Sequence, residues 1–304
     1  MKRLTLVGAL LLMLLRAGAQ GYPLPTVPDS IREPERRADY TTAHFWQQYN
    51  YSDTTLLRQD YAEQAVANFL GLLTHATTKG QHEALSQWTA GMAQSEKACQ
   101  YFTDTAFRYL YSEESPLYSP VLYELLLQHI DKETKINEAI RSRAHFQLTL
   151  MAKNSVGDVA TDFSFVTADG SQQHLSTTAT DRLTLLLLFD PDCKRCRDLL
   201  FRLRHSSAIN SAIADGRLTL LAVDTADDET AWQQAKEELP QSWLIANDRG
   251  IITEKSLYDL NTLPVLYLLA SDKRVMLKNA SIHQVMEVLR TDGQSATDNH
   301  ESRP

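Results

Sequence analysis

Cysteine is scarce: the 304 residues contain three, Cys99, Cys193 and Cys196. A secreted chain stapled by disulfides carries a larger, even set, so this one must be held by its core. Basic clusters are short, none longer than three residues, and 30 Lys and Arg face 38 Asp and Glu for a formal charge of −8. Nucleic acid requires a concentrated positive face, so it is not an expected partner. No G-x-G-x-x-G, P-loop or G-x-S-x-G occurs, which removes the simplest nucleotide-binding and hydrolase readings. The nine histidines show no H-x-x-x-H spacing, and the C-x-x-C lacks the second ligand pair of a zinc site. No metal and no cofactor is expected. Beyond residue 15 no apolar run approaches the roughly 18 residues of a membrane span, and no repeat of fixed period is visible.

What remains is ordinary globular composition, 43% apolar and 22% charged, over a length that suggests about two domains. Lys2 and Arg3 precede a mostly apolar run from Leu4 to Leu15, and Ala17-Gly18-Ala19 offers the small residues that a signal peptidase accepts. Residues 1–19 therefore read as a signal peptide. The mature chain is expected in the periplasm or another extracytoplasmic space, with no stable membrane insertion. Pro23, Pro25, Pro28 and Pro34 make residues 20–38 an extended linker.

Residues 39–153 read as an all-helical domain. Helical patterns cover roughly 82–94, 95–111, 120–129 and 132–152, and nine of the twelve tyrosines, with Trp46 and Trp88, fall between Tyr40 and Tyr123. That points to an aromatic-rich core. The pattern then changes. In residues 154–292 short apolar runs alternate with amphipathic ones, as in an α/β layer structure. Asp169-Gly170 signals a hairpin between 163–166 and 172–175. Residues 183–189, apolar except for Thr184, read as a strand covered on both faces. A helix over about 197–206, a strand over 218–223 and a helix over 228–239 follow. Strands are expected at 243–246, 265–269 and 275–277, and Ser281 with Gln284 forms a capping box that opens a last helix to about Arg290. Residues 293–304 read as a flexible tail.

The C-x-x-C, Cys193-Lys194-Arg195-Cys196, falls between the buried strand ending at Phe189 and the following helix. Backbone N–H groups and the positive end of the helix dipole favour a thiolate there, so Cys193 is expected to ionise more easily than a free cysteine. Cys196, one turn further in, is expected to be less exposed. Cys193 is then the attacking sulfur and Cys196 the resolving one. Asp192 can cap the helix but sets negative charge beside the sulfur, opposing Lys194 and Arg195. These three residues are the expected thiolate-tuning set. Their balance implies a reducing or isomerising tendency. Cys99 sits in a helical pattern near Ala98 and Phe102 and reads as a small buried hydrophobe.

The stretch Leu185-Leu186-Leu187-Leu188-Phe189-Asp190-Pro191-Asp192-Cys193-Lys194-Arg195-Cys196 resembles the strand, turn and active-site helix of a thioredoxin-like protein. Gly157-Asp158-Val159-Ala160-Thr161-Asp162-Phe163, followed by Asp169-Gly170, is similar to the N-terminal hairpin of envelope thiol-disulfide oxidoreductases and peroxiredoxin-related domains. Tyr258-Asp259-Leu260-Asn261-Thr262-Leu263-Pro264-Val265 resembles the segment that bears the family's cis-proline. The helical region resembles a domain of unknown function found ahead of such domains in bacterial envelope proteins.

The resemblance implies an α/β thioredoxin-like fold, a central mixed sheet flanked by helices, in the C-terminal half behind an all-α domain. It implies Cys193 and Cys196 as the redox pair, Pro264 as the cis-proline, and the edge beside Leu263 as a place where a substrate strand pairs. Partners would be client proteins with disulfides or thiols and a membrane or soluble electron donor. Many family members have an aromatic residue before the first cysteine and a buried acid or polar group six residues before it, where this chain has Asp192 and Leu187. The peroxidase branch needs a threonine where Asp190 stands, so peroxidase activity is not expected. Two functions remain open: thiol-disulfide exchange, or a non-catalytic binding or assembly module whose C-x-x-C is a structural disulfide.

Overall fold

The computed structural model describes residues 22–58, 60–226 and 228–301. The signal-peptide reading of residues 1–19 lies outside the described residues. The chain divides into two compact units, with the division between Leu148 and Thr149.

In the first unit, α1 (Pro34–His44), α2 (Asp60–Leu73), α3 (Thr78–Met92), α4 (Glu96–Leu110) and α5 (Pro120–Lys132) precede α6 (Glu138–Ala152), which crosses the division. Thr77, Ser95 and Ser119 supply side-chain caps for α3, α4 and α5, accepting the backbone N–H of Gly80, Ala98 and Leu122. The core is aromatic, as the composition implied. Trp46 stacks on Trp88 with ring centroids 5.6 Å apart, and Phe69 and Phe102 pack edgewise or tilted against the pair.

The second unit is a seven-stranded mixed sheet with helices. Its strands are β1 (Ser164–Thr167), β2 (Gln172–His174), β3 (Leu183–Phe189), β4 (Leu218–Asp224), β5 (Leu244–Asn247), β6 (Val265–Leu269) and β7 (Val275–Leu277), in the spatial order β2-β1-β5-β4-β3-β6-β7. Its helices are α7 (Lys194–Arg204), α8 (Ser207–Ala214), α9 (Glu229–Glu238), α10 (Ile251–Glu254) and α11 (Ile282–Glu301). The β1–β2 hairpin turns at Gly170, whose φ of 87° a side chain rarely tolerates. β3 lies near the middle, parallel to β4 and antiparallel to β6. Its side chains alternate between two cores: Leu185, Leu187 and Phe189 enter one with Cys196 and Leu200, while Leu186 and Leu188 enter the other with Tyr258 and Tyr267. The polar exception, Thr184, meets the ammonium of Lys273, which is 3% exposed and donates to Thr184 Oγ1 at 3.3 Å and to the Ala179 carbonyl at 3.0 Å.

Several element boundaries differ from the sequence expectation. The extended linker ends at Glu33, not residue 38, because Pro34 sits in the first turn of α1, where its missing N–H is harmless and its fixed φ fits. The helix expected over 132–152 starts at Glu138, where the Asn137 side chain accepts the Ala139 N–H at 2.8 Å. The helix expected from Arg197 starts at Lys194, and α8 after it was not anticipated. The last helix runs beyond Arg290 to Glu301, through the segment expected as a flexible tail. Once a turn exists, adding residues is inexpensive, and no proline intervenes before Pro304.

Candidate active site

The chain reaches the site twice. β3 ends at Phe189, and Asp190, Pro191 and Asp192 lead to Cys193 at the N-cap of α7. β6 runs antiparallel to β3 with Val265 opposite Leu188, so the residues just before β6 arrive beside those just after β3. These are Leu263 and Pro264, and the peptide between them is cis. Upstream, the Tyr258 hydroxyl donates to the Thr161 carbonyl at 2.7 Å and Asp259 Oδ1 accepts the Asn261 N–H at 3.1 Å, fixing the approach to that bond.

Asp190 shapes the first approach. Its Oδ1 accepts the Asp192 N–H at 2.8 Å and its carbonyl accepts the Cys193 N–H at 3.2 Å. Cys193 then caps α7 itself: its Sγ accepts the Cys196 N–H at 3.4 Å, in the role an aspartate or serine oxygen usually plays. The sulfur is half-buried and also donates toward the Leu263 carbonyl oxygen, 3.8 Å away. Cys196 is fully buried in the core that holds Leu187, Phe189 and Leu203. Burial pushes its thiol far above the ordinary range. A hydrogen bond to Cys193 and the charges of Cys193 and Asp190 push the same way, against the Asp190 N–H.

The other expected site residues separate. Asp192 does not cap the helix, because the N-cap is one residue later. Asp192 is exposed, and its carbonyl accepts the Arg197 guanidinium at 2.7 Å. Lys194 is exposed on the first turn. Arg195 turns inward, and its Nη2 donates to the Leu263 carbonyl at 2.5 Å. One carbonyl oxygen thus receives both the guanidinium and the Cys193 thiol. Leu187, where the family often has an acid, is fully buried. Cys99 is 1% exposed in α4, and burial, the largest influence, pushes its thiol up to about 11.

A carboxylate that the sequence reading did not single out lies on the next strand. Asp224 ends β4 and is the register partner of Phe189. Leu218, Leu220 and Ala222 face the core containing Cys196, so the strand's period of two turns Asp224 to that face too. It is fully buried. Oδ1 accepts the Ala226 N–H at 2.9 Å, and Oδ2 has no hydrogen-bond partner among the described residues. Burial pushes its carboxyl up to about 6, helped by the charges of Asp190 and Asp248 and opposed by the Ala226 N–H and the Asn247 amide. The available signal was an aspartate ending an apolar strand beside the C-x-x-C strand.

The Domain of unknown function (DUF5106) family matches residues 7–154. No curated protein matches the chain at a significant level. Among solved structures, a thioredoxin-like protein from Bacteroides caccae is 29% identical over 90% of this chain and 99% of its own, with a TM-score of 0.67. The C-terminal domain of an uncharacterized protein from Bacteroides fragilis is 30% identical over 46% of this chain and 99% of its own, with a TM-score of 0.44. The thioredoxin domain of a thiol-disulfide oxidoreductase from Bacteroides vulgatus is 17% identical over 45% of this chain and 96% of its own, with a TM-score of 0.39. No helix among the described residues is long and apolar enough to cross a membrane. With its mixed sheet, its C-x-x-C at a helix start and its cis Leu263–Pro264 peptide, the C-terminal part of the chain has a thioredoxin-like fold, and the N-terminal helical part fits the model of a domain of unknown function.

Proposed function

We propose that this protein is an extracytoplasmic thiol-disulfide oxidoreductase whose Cys193 and Cys196 exchange with disulfides of client proteins, in the reducing or isomerising direction. One observation carries the reading: a half-buried sulfur capping a helix, next to the Leu263–Pro264 peptide, with a second sulfur buried one turn behind it. The first is reachable and held where an anion is favoured, and the second is withheld from solvent until the first has reacted.

In the reducing direction the Cys193 thiolate attacks a client disulfide. A Cys193–client bond forms and one client sulfur leaves as a thiolate. Cys196 then gives up its proton and attacks the Cys193 sulfur, forming the Cys193–Cys196 bond and releasing the second client thiolate. Two electrons pass from the protein to the client, and an external thiol or membrane electron donor must return them. Lys194 and Arg195 offset the negative charge of Asp192 around the reacting sulfur. The location rests on the signal-peptide pattern of residues 1–19.

A second reading, a binding or assembly module stiffened by a Cys193–Cys196 disulfide, draws on Leu187, which cannot accept the proton of Cys196 as a family acid would. Reduction of insulin disulfides by the full chain with a dithiol donor separates the two. Exchange predicts donor-dependent reduction that Cys193→Ala abolishes. Equal background rates for the two proteins would support the module.

A further inference from the structure

α7 and α9 bury side chains in the same core, and a groove of about 320 Å³ runs between them. It begins beside the redox pair, because Pro191 and Asp192, the last residues before Cys193, line one end. At the other end Arg204 Nη2 donates to the Glu238 carbonyl at 2.6 Å and ties the last turn of α7 to that of α9. Ala231 and Ala235 of α9 give the groove its depth, since their methyl groups leave open the space opposite Leu200 that larger side chains would fill. The volume lies at the bottom of the range of about 300–1,000 Å³ for ligand sites. It has room for one large side chain and none for a helix.

The walls say which side chain. Phe201 stands in one of them 63% exposed, although an apolar ring gains by burial, and packs against His205 with ring centroids 4.2 Å apart. Arg197 and Arg204 line the groove on the same helix. Arg197 Nη1 donates to the Pro191 and Asp192 carbonyls at 3.1 and 2.7 Å, and Arg204 to that of Glu238. A guanidinium donates in its own plane, and these acceptors are neutral, so both groups keep their charge and their flat faces for stacking. Such a face attracts the negative π-surface of an aromatic ring. Two carboxylates, Asp192 and Glu238, also line the groove and balance the two guanidinium charges, and Glu238 Oε1 accepts the Gln234 amide at 2.9 Å. A neutral ring suits this lining, whereas a charged side chain of either sign meets a like charge. We propose that the groove is a subsite for an aromatic side chain of the client segment bonded to Cys193, seated on Phe201 and the guanidinium faces of Arg197 and Arg204. Phe201 follows Cys193 by eight positions on the helix, about 12 Å, which an extended segment covers in about four residues. The preferred clients therefore carry phenylalanine, tyrosine or tryptophan about four residues from the reacting cysteine. This inference rests on the exchange reading above and adds a substrate class to it.

The test gives the reduced full chain hydroxyethyl disulfide and matched peptide disulfides with phenylalanine, cyclohexylalanine or serine about four residues before or after the cysteine. Each peptide rate is divided by the hydroxyethyl disulfide rate of the same variant, which cancels any change in the reactivity of Cys193. In the better of the two placements, the wild-type chain should reduce the phenylalanine peptide about tenfold faster than the serine peptide. It should also reduce it about threefold faster than the cyclohexylalanine peptide, which has similar bulk and no π-surface. Phe201→Ser, at an exposed position, and Ala231→Phe, which fills the groove, should each bring the phenylalanine-to-serine ratio close to one. Arg204→Gln should remove most of the advantage of phenylalanine over cyclohexylalanine. With hydroxyethyl disulfide still reduced, three results overturn this proposal alone: a phenylalanine-to-serine ratio near one in both placements, a ratio that Phe201→Ser leaves unchanged, or equal rates for phenylalanine and cyclohexylalanine. Failure of the wild-type chain to reduce hydroxyethyl disulfide overturns the exchange reading and this inference with it.

Discussion

Asp224 is the residue where burial and charge conflict most plainly. Its carboxyl keeps a proton up to about pH 6 in the folded chain because burial disfavours the charge, whereas an unfolded aspartate releases it near about 3.9. Between those values the native state binds more protons than the unfolded one, so its advantage is complete below about pH 4 and is lost as the pH rises through 6. Above that, a carboxylate with one unpartnered oxygen sits in the core. Asp224→Asn removes the charge and keeps an oxygen for the Ala226 N–H. Urea unfolding should therefore show a gain of about 1–3 kcal/mol at pH 7.5 that shrinks to nearly nothing at pH 4. An equal gain at both pH values, or a loss at pH 7.5, contradicts this account of the site. Residues of this kind were the least legible in the sequence. Cys193, Cys196 and Pro264 stood out because a three-residue spacing and a short motif are local. The inward turn of Arg195 depends on Leu263, 68 positions away, and the burial of Asp224 depends on which strand lies beside it.

At the scale of elements, the sequence was most readable where periodicity and chemistry agreed. β3, β6 and β7 fall where the apolar runs placed them, and the capping box at Ser281 forms as expected, with the Ser281 N–H bonded to Gln284 Oε1 at 2.9 Å and the Gln284 N–H to Ser281 Oγ at 3.3 Å. Helix ends were less readable, because the decisive partner was often an unusual one. Cysteine is a poor cap by propensity, so the start of α7 at Lys194 could not be inferred from capping preference. Thr184 interrupts an apolar strand for a reason that only pairing reveals: Lys273, from the turn between β6 and β7, reaches it across 89 positions. Burial lowers the Lys273 pKa, and its three acceptors satisfy the ammonium in place of water. Lys273→Ala leaves the Thr184 hydroxyl and the Ala179 carbonyl without that donor and opens a cavity. A loss of about 2–3 kcal/mol in urea unfolding is expected, and a change below about 0.5 kcal/mol would show that the contact carries no stability.

For the whole molecule, the fold class followed from the change of pattern near residue 154, an aromatic helical series giving way to alternating short strands and helices. Seven strands and the mixed sheet order place the C-x-x-C where β3 meets α7 and bring the cis-proline to it through the antiparallel β6. The chemistry assigned to the chain therefore depends on long-range strand pairing that holds two short motifs together. Its central claim is that Cys193 attacks and Cys196 resolves. The most direct test incubates the full-length Cys196→Ser variant with an excess of a peptide disulfide and maps the product by mass after blocking free thiols. The account predicts a stable mixed disulfide on Cys193 that the wild-type chain does not accumulate. Absence of an adduct on a Cys193 that iodoacetamide still alkylates, or an adduct on Cys99 instead, would contradict it.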